Sequence, residues 1–170
     1  MAKRISLREF QQSLVERLTS AQRGEAPRAL LGVLVGRDHW LLELADTGEI
    51  VPLPALAPVP LTKSWFRGLT SIRGTLLTVV DFSAFQGLEP TPLNSDARLV
   101  LANSRFGFSS AILVSRTLGL RNLDQLEPQP EQLDPRPWVG EHFRDTQDNT
   151  WKKLLIRDLF MDPAFLEVGV

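Results

Sequence analysis

Arg73 is the side chain of this sequence best placed for recognition chemistry: it stands with Gly74 between two strand-like runs. A guanidinium offers five N–H donors in a planar fork, and its stem can cover apolar surface. Groups suited to catalysis are sparse. His39 and His142 lie far apart in sequence, and neither has a partner at ligand spacing. No Gly-x-Ser-x-Gly elbow, Walker loop or Gly-x-Gly-x-x-Gly follows a strand. The carboxylates form no close pair framed for acid–base work, and Asp81 reads as a strand-end hydrogen-bond acceptor. The chain has no cysteine, which excludes disulfides, thiol nucleophiles and cysteine-ligated zinc. The expectation is a protein that is not an enzyme and uses no cofactor and no metal.

The elements that must hold Arg73 are legible around it. Gly68-Leu69-Thr70-Ser71-Ile72 reads as a short strand, Arg73-Gly74 as a turn in which glycine takes φ > 0, and residues 75–80 as a β-branched strand. The second strand is apolar on both faces, so one face should meet a core and the other a second element or a partner. Spacing alone leaves open whether Arg73 serves a binding surface or points into solvent. From residue 29 to 114, short apolar runs alternate with turn signals such as Asp46-Thr47-Gly48 and Asn94-Ser95-Asp96, a pattern suited to a β-barrel or sandwich. Pro52, Pro54, Pro58 and Pro60 predict an extended crossing segment, and residues 128–137 a second one.

Outside this region, Ser6-Leu7-Arg8-Glu9 has the form of a capping box. Leu7, Phe10, Leu14 and Leu18 recur on one face of a predicted N-terminal helix. Residues 1–27 are assigned to this helix and a linker, and residues 28–170 to one domain. Asp162 as N-cap and Pro163 at the first helical position predict a last helix, preceded by another near residue 157. Ile156, Leu159, Phe160 and Phe165 would seat these helices on the second lobe. One internal repeat is suggested: Phe66-x-Gly68 followed by a strand ending Asp81-Phe82 parallels Trp138-x-Gly140 followed by one ending Asp158-Leu159. The second copy would be about five residues longer, with residues 145–149 as an exposed turn.

The 170 residues are 43% apolar, enough to fill a core, and carry a net charge of −1. A chain with no positive field is a poor nucleic-acid ligand. Only Arg105-Phe106-Gly107-Phe108 hints at a basic aromatic groove, and the simpler expectation has both rings packing alternately in a hairpin with Arg105 solvated. No apolar run reaches signal-peptide or membrane-spanning length, so the expected location is cytoplasmic, without direct membrane insertion.

The segment Phe66-x-Gly68-Leu69-Thr70-x-Ile72-Arg73-Gly74-x-Leu76-x-x-Val79-Val80-Asp81 resembles the central signature of CheW-like domains, the proteins that couple chemoreceptors to a CheA-type histidine kinase. Ser71 stands where that family commonly has Asn, and Phe82 where it commonly has Leu. Residues 31–44 resemble the family's opening hairpin, Glu49-Ile50 its Val-x-Glu-Ile element, and residues 97–102 and 108–114 its later strand pair. The ending Trp151-x-x-Leu154-x-Ile156-Arg157-Asp158-Leu159 resembles PilI-type members, which serve systems controlling type IV pili. The resemblance implies an all-β dominated fold of two small, intertwined five-stranded SH3-like barrels with a hydrophobic core between them, plus an N-terminal helix and short C-terminal helices. It implies a non-catalytic adaptor between the regulatory domain of a CheA-type histidine kinase and the cytoplasmic tip of a methyl-accepting chemoreceptor, recruited to membrane-associated arrays. Arg73, Gly74, Glu49, Ile50, Ser71 and Asp81 are the expected protein-binding residues. Glu49 would orient Arg73 for a receptor helix hairpin, and the groove between the lobes would take the receptor. The alternatives are a flagellar coupling protein, or a β-barrel module for another ligand such as nucleic acid.

Overall fold

The computed structural model describes Gln11, Gln12, Val15, residues 29–130 and residues 133–170. Gln11, Gln12 and Val15 are helical; the capping box at Ser6, Leu7, Phe10, Leu14 and Leu18, and the linker up to residue 27 lie outside the described residues.

Strands β1 (Ala29–Val35), β2 (Asp38–Glu43), β8 (Arg116–Asn122), β9 (Glu127–Pro128), β10 (Val139–Arg144) and β11 (Thr150–Leu154) form one sheet, in the order β8-β1-β2-β11-β10-β9. We call this the terminal lobe. The central lobe holds β3 (Thr47–Pro52), β4 (Phe66–Ile72), β5 (Thr75–Asp81), β6 (Arg98–Ala102) and β7 (Ser110–Val114), in the order β3-β6-β7-β5-β4. Each sheet contains one parallel pair, β2 with β11 and β5 with β7, and is otherwise antiparallel. The two orders therefore superpose strand for strand, β8 on β3, β1 on β6, β2 on β7, β11 on β5 and β10 on β4.

Both lobes close in the same way. Beyond β8 the chain bends through a 3-10 turn at Leu123–Gln125, and β9 pairs with β10. Beyond β3 the proline-rich segment crosses, and Ala57 bridges to Leu69 of β4. The sixth strand of the terminal sheet is thus the bent continuation of β8, and each lobe is a five-stranded barrel. The crossing in the central lobe is so close that a Cβ at Gly68 would stand 2.1 Å from the Ala57 carbonyl oxygen, and Gly68 has φ +117. Only glycine serves there. The lobes interlock because β3 follows β2 yet joins β6, whereas β8 follows β7 yet joins β1.

This arrangement explains why the strands are apolar on both faces. Neighbouring residues of one strand alternate between the interior of a barrel and the layer between barrels. Leu41 joins Leu30, Phe143 and Trp151 inside the terminal barrel, while Trp40 and Leu42 enter the shared core. Val79, Leu99 and Leu113 fill the central barrel, while Val80, Val100 and Ile112 face the shared core. The second element expected against the apolar strand at residues 75–80 is the other lobe.

Three short helices are described: α1 (Phe82–Phe85), α2 (Ile156–Met161) and α3 (Pro163–Leu166). Asp162 caps α3 by accepting from the Ala164 N–H, with Pro163 in the first turn, as its sequence predicts. Ile156, Leu159, Phe160 and Phe165 do not seat on one lobe; they belong to the core shared by both. The internal repeat is real but shifted. The Asp81 N–H donates to the Trp65 carbonyl at 2.8 Å, and the Leu155 N–H to that of Trp138 at 2.9 Å. Trp65 therefore matches Trp138, and Asp81 matches Leu155, while Asp158 lies inside α2. Measured this way the second copy is one residue longer, not five.

Candidate functional site

Ile72 pairs with Thr75, which leaves Arg73 and Gly74 as a two-residue turn. Both have positive φ, 51° at Arg73 and 80° at Gly74, the combination that lets a hairpin turn follow the twist of its strands. The sequence foretells this conformation for Gly74 alone. Glu49 comes from the opposite edge of the central sheet. The register of β3 against β6 jumps between Thr47 and Ile50, and such a bulge re-aims the side chain it carries. Arg73 Nη2 and Glu49 Oε1 stand 2.6 Å apart, with the Arg73 side chain 80% exposed and that of Glu49 34%. An ion pair so exposed contributes about 0 to 1 kcal/mol to stability. Its consequence is orientation: one carboxylate holds the fork, and the rest of the guanidinium faces solvent.

The other residues expected at this site divide. Ser71 is exposed and pairs with Leu76, which is 61% exposed, and nothing lies within 4 Å of a Cβ built on Gly74. Arg73, Gly74, Ser71 and Glu49 thus share one end of the central lobe, with Leu76 as an apolar member that sequence reading missed. Its signal was the apolar outward face of β5. Ile50 turns inward against the shared core. Asp81 lies at the far end of β5 and is fully buried. Its Oδ1 accepts from Thr91 Oγ1 at 2.7 Å and from the Ser83 and Ala84 N–H groups at 3.2 and 3.3 Å. Its Oδ2 accepts from the Thr91 N–H at 2.8 Å. Asp81 caps α1 and fastens the following loop, so it belongs to the scaffold and not to an exposed face.

The profile of the CheW-like domain family matches residues 29–156. The chain belongs to that family. The protein PilI of Pseudomonas aeruginosa is 25% identical over 145 residues, covering 82% of this chain and 79% of PilI. The solved structure of the scaffolding protein TtCheW from Thermoanaerobacter tengcongensis superposes with a TM-score of 0.66 at 18% identity. The match covers 81% of this chain and 95% of TtCheW, which establishes the shared fold.

In this CheW-like scaffold, a cleft of about 670 Å³ opens between the lobes, lined by Arg37, Asp38, Leu88, Thr91 and Arg116 among others. It does not adjoin Arg73. Val114, next to the cleft, pairs with Arg98, whereas Ser110, at the other end of β7, pairs with Thr78 towards the Arg73 turn. Groove and arginine occupy opposite ends of the central CheW-like barrel.

The loop joining β6 to β7 also departs from expectation. Residues Ser104–Phe106 form a 3-10 turn instead of a simple hairpin. The Phe106 and Phe108 ring centroids are 6.1 Å apart, and Phe108 meets Phe160 edge-on at 5.5 Å. Arg105 is not merely solvated: it pairs with Asp46 and lies over the Phe106 ring at 4.7 Å. Both histidines are on strands. His39 packs against Trp151 at 4.8 Å, and His142 is buried, so desolvation lowers its pKa from 6.5.

Proposed function

We propose that this CheW-like scaffold is a non-catalytic adaptor that couples a methyl-accepting chemoreceptor to a CheA-type histidine kinase in a system controlling type IV pili. The observation that carries the recognition step is the Arg73–Glu49 pair. A mostly exposed guanidinium, held by a carboxylate from the opposite sheet edge and flanked by exposed Leu76, suits recognition better than it suits stability. The likeness to PilI supports a pilus system over a flagellar one. The Arg73 end engages the receptor tip, and the regulatory domain of the kinase binds elsewhere on the barrels, so that both partners are held at once. Among the described residues no helix is long and apolar enough to cross a membrane. Residence in the cytoplasm at receptor arrays follows from the proposed partners.

A bridging assay tests this reading. A receptor-tip fragment is immobilised, and retention of the purified kinase regulatory domain is measured with and without this protein. Retention that rises and saturates as the protein is added supports coupling. Retention indifferent to the protein refutes it.

A further inference from the structure

The terminal barrel keeps at one end a cation that no described residue balances. A cavity of about 390 Å³ opens there, where the 3-10 turn after β8 meets the β10–β11 turn, and Arg121, Asn122, Gln125, Leu126, Gln147 and Trp151 are among its lining. Arg121 pairs with Leu30 across the β1–β8 ladder, and its guanidinium lies over the Trp151 ring, 5.0 Å from the centroid. Trp151 is packed in the barrel interior with Leu30, Leu41 and Phe143, so the arginine is held against a rigid wall. Its one hydrogen bond among the described residues runs from Nη2 to the Leu118 carbonyl at 3.2 Å. Nε is buried without a partner, and Arg121 forms no ion pair among the described residues. A buried N–H that lacks an acceptor marks a place where one belongs.

The acid that could have served from within is committed elsewhere. Asp145 also lines the cavity, but its oxygens accept from the Gln147 and Asn149 N–H groups, from Asn149 Nδ2 and from Trp151 Nε1. The missing acceptor must therefore enter with a ligand. Its chemistry follows from what surrounds Arg121. A planar fork of N–H donors matches a carboxylate, and a single guanidinium balances a single negative charge. A phosphate dianion calls for a second cation or a cradle of free backbone N–H groups. The lining holds no other lysine or arginine, the Gln147 N–H is spent on Asp145, and the Asp124 N–H is spent on Asn122 Oδ1. The side-chain amides of Gln125 and Gln147 offer neutral donors to a second oxygen. Leu126 and Trp151 favour an organic body behind the charge, and the volume falls in the range of small-ligand sites. We propose that this cavity binds a small carboxylate, anchored by Arg121 and backed by Leu126 and Trp151. The carboxylate belongs either to a free organic acid or to an acidic side chain of a bound peptide. The site stands apart from the Arg73 turn, and its occupancy does not depend on the coupling reading.

The probes are butyrate, benzoate and a capped Gly-Glu-Gly peptide, titrated into the isotope-labelled full chain at constant ionic strength and followed by NMR. Chloride and inorganic phosphate are the controls. The assigned Arg121 Nε and Trp151 indole signals should shift saturably with a carboxylate and stay in place with chloride. Saturation by butyrate or benzoate with a silent peptide assigns the site to free organic acids, and saturation by the peptide assigns it to an acidic side chain. Affinity should fall about tenfold or more on Arg121→Gln and about threefold or more on Gln147→Glu, which sets a second negative charge at an exposed position of the lining. A melting curve of each variant establishes that the fold is kept, and Gln147→Glu decides the matter if Arg121→Gln does not fold. No saturable shift with any carboxylate, tighter binding of phosphate than of all three probes, or unchanged affinity in a folded Arg121→Gln protein would each overturn the proposal.

Discussion

The β4–β5 turn of the central lobe and the β10–β11 turn of the terminal lobe occupy equivalent places in two superposable barrels, yet they use their polar groups in opposite directions. In the terminal lobe the turn is satisfied from within. Asp145 Oδ1 accepts from the N–H groups of Gln147 and Asn149, and Oδ2 from Asn149 Nδ2 and Trp151 Nε1, all between 2.9 and 3.1 Å. Burial pulls the Asp145 carboxyl up, but these donors, led by the Trp151 indole, outweigh it and hold the pKa at about 2. In the central lobe the turn contains a cation, makes one exposed ion pair and leaves most of its donors outward. Fold symmetry therefore does not make the two turns alike: one is satisfied from within, and the other, under the proposed function, is the one that meets a partner.

The largest expected effect separates the ways in which the two lobes close. Gly68→Ala forces a Cβ against the Ala57 carbonyl at positive φ, and should cost more than about 3 kcal/mol in urea unfolding. Gly140→Ala meets its nearest atoms at 3.4 Å and should cost less than about 1 kcal/mol. Equal losses would mean that the central barrel is not closed at Gly68. Next comes the helix cap that the two lobes do not share. Asp81→Ala leaves the buried Thr91 donors without an acceptor and uncaps α1, for about 3 kcal/mol. The equivalent Leu155 makes no side-chain cap, so Leu155→Ala should leave the start of α2 intact, as read by hydrogen exchange.

The two turns themselves provide the finer contrast. Asp145→Ala should cost about 1 to 2 kcal/mol and leave partner binding unchanged, whereas Arg73→Ala should cost less than about 1 kcal/mol. The Asp145 contribution has a pH signature. Its folded pKa lies below the ordinary 3.8, so the stabilisation is full above that value and disappears as pH falls towards about 2. The difference in melting temperature between wild type and Asp145→Ala should shrink over that interval. A difference independent of pH would assign the effect to packing.

What was legible in the sequence was local. Gly74 announced its turn, Asp162-Pro163 announced α3, and apolar runs on both strand faces announced a second packing layer. Features set by long-range pairing were not. Pro128 looked like connector because nothing near it reveals the β10 partner that makes it a strand. Gly68 and Gly140 suggest one alignment of the repeat, while the feature that repeats is a backbone hydrogen bond to a tryptophan carbonyl. Asp81 read correctly as an acceptor, but its inward direction depends on Thr91, ten residues later. Glu49 was placed beside Arg73 through family resemblance; no local signal joins opposite edges of a sheet. Leu76 escaped notice because spacing cannot distinguish an exposed apolar face from a covered one.

The most direct measurement is the affinity of a receptor-tip fragment for the wild-type protein and for Arg73→Glu, with a melting curve for each. The account predicts binding weakened by roughly 2 kcal/mol or more, with a melting curve close to wild type. Unchanged affinity in a folded Arg73→Glu protein would contradict it.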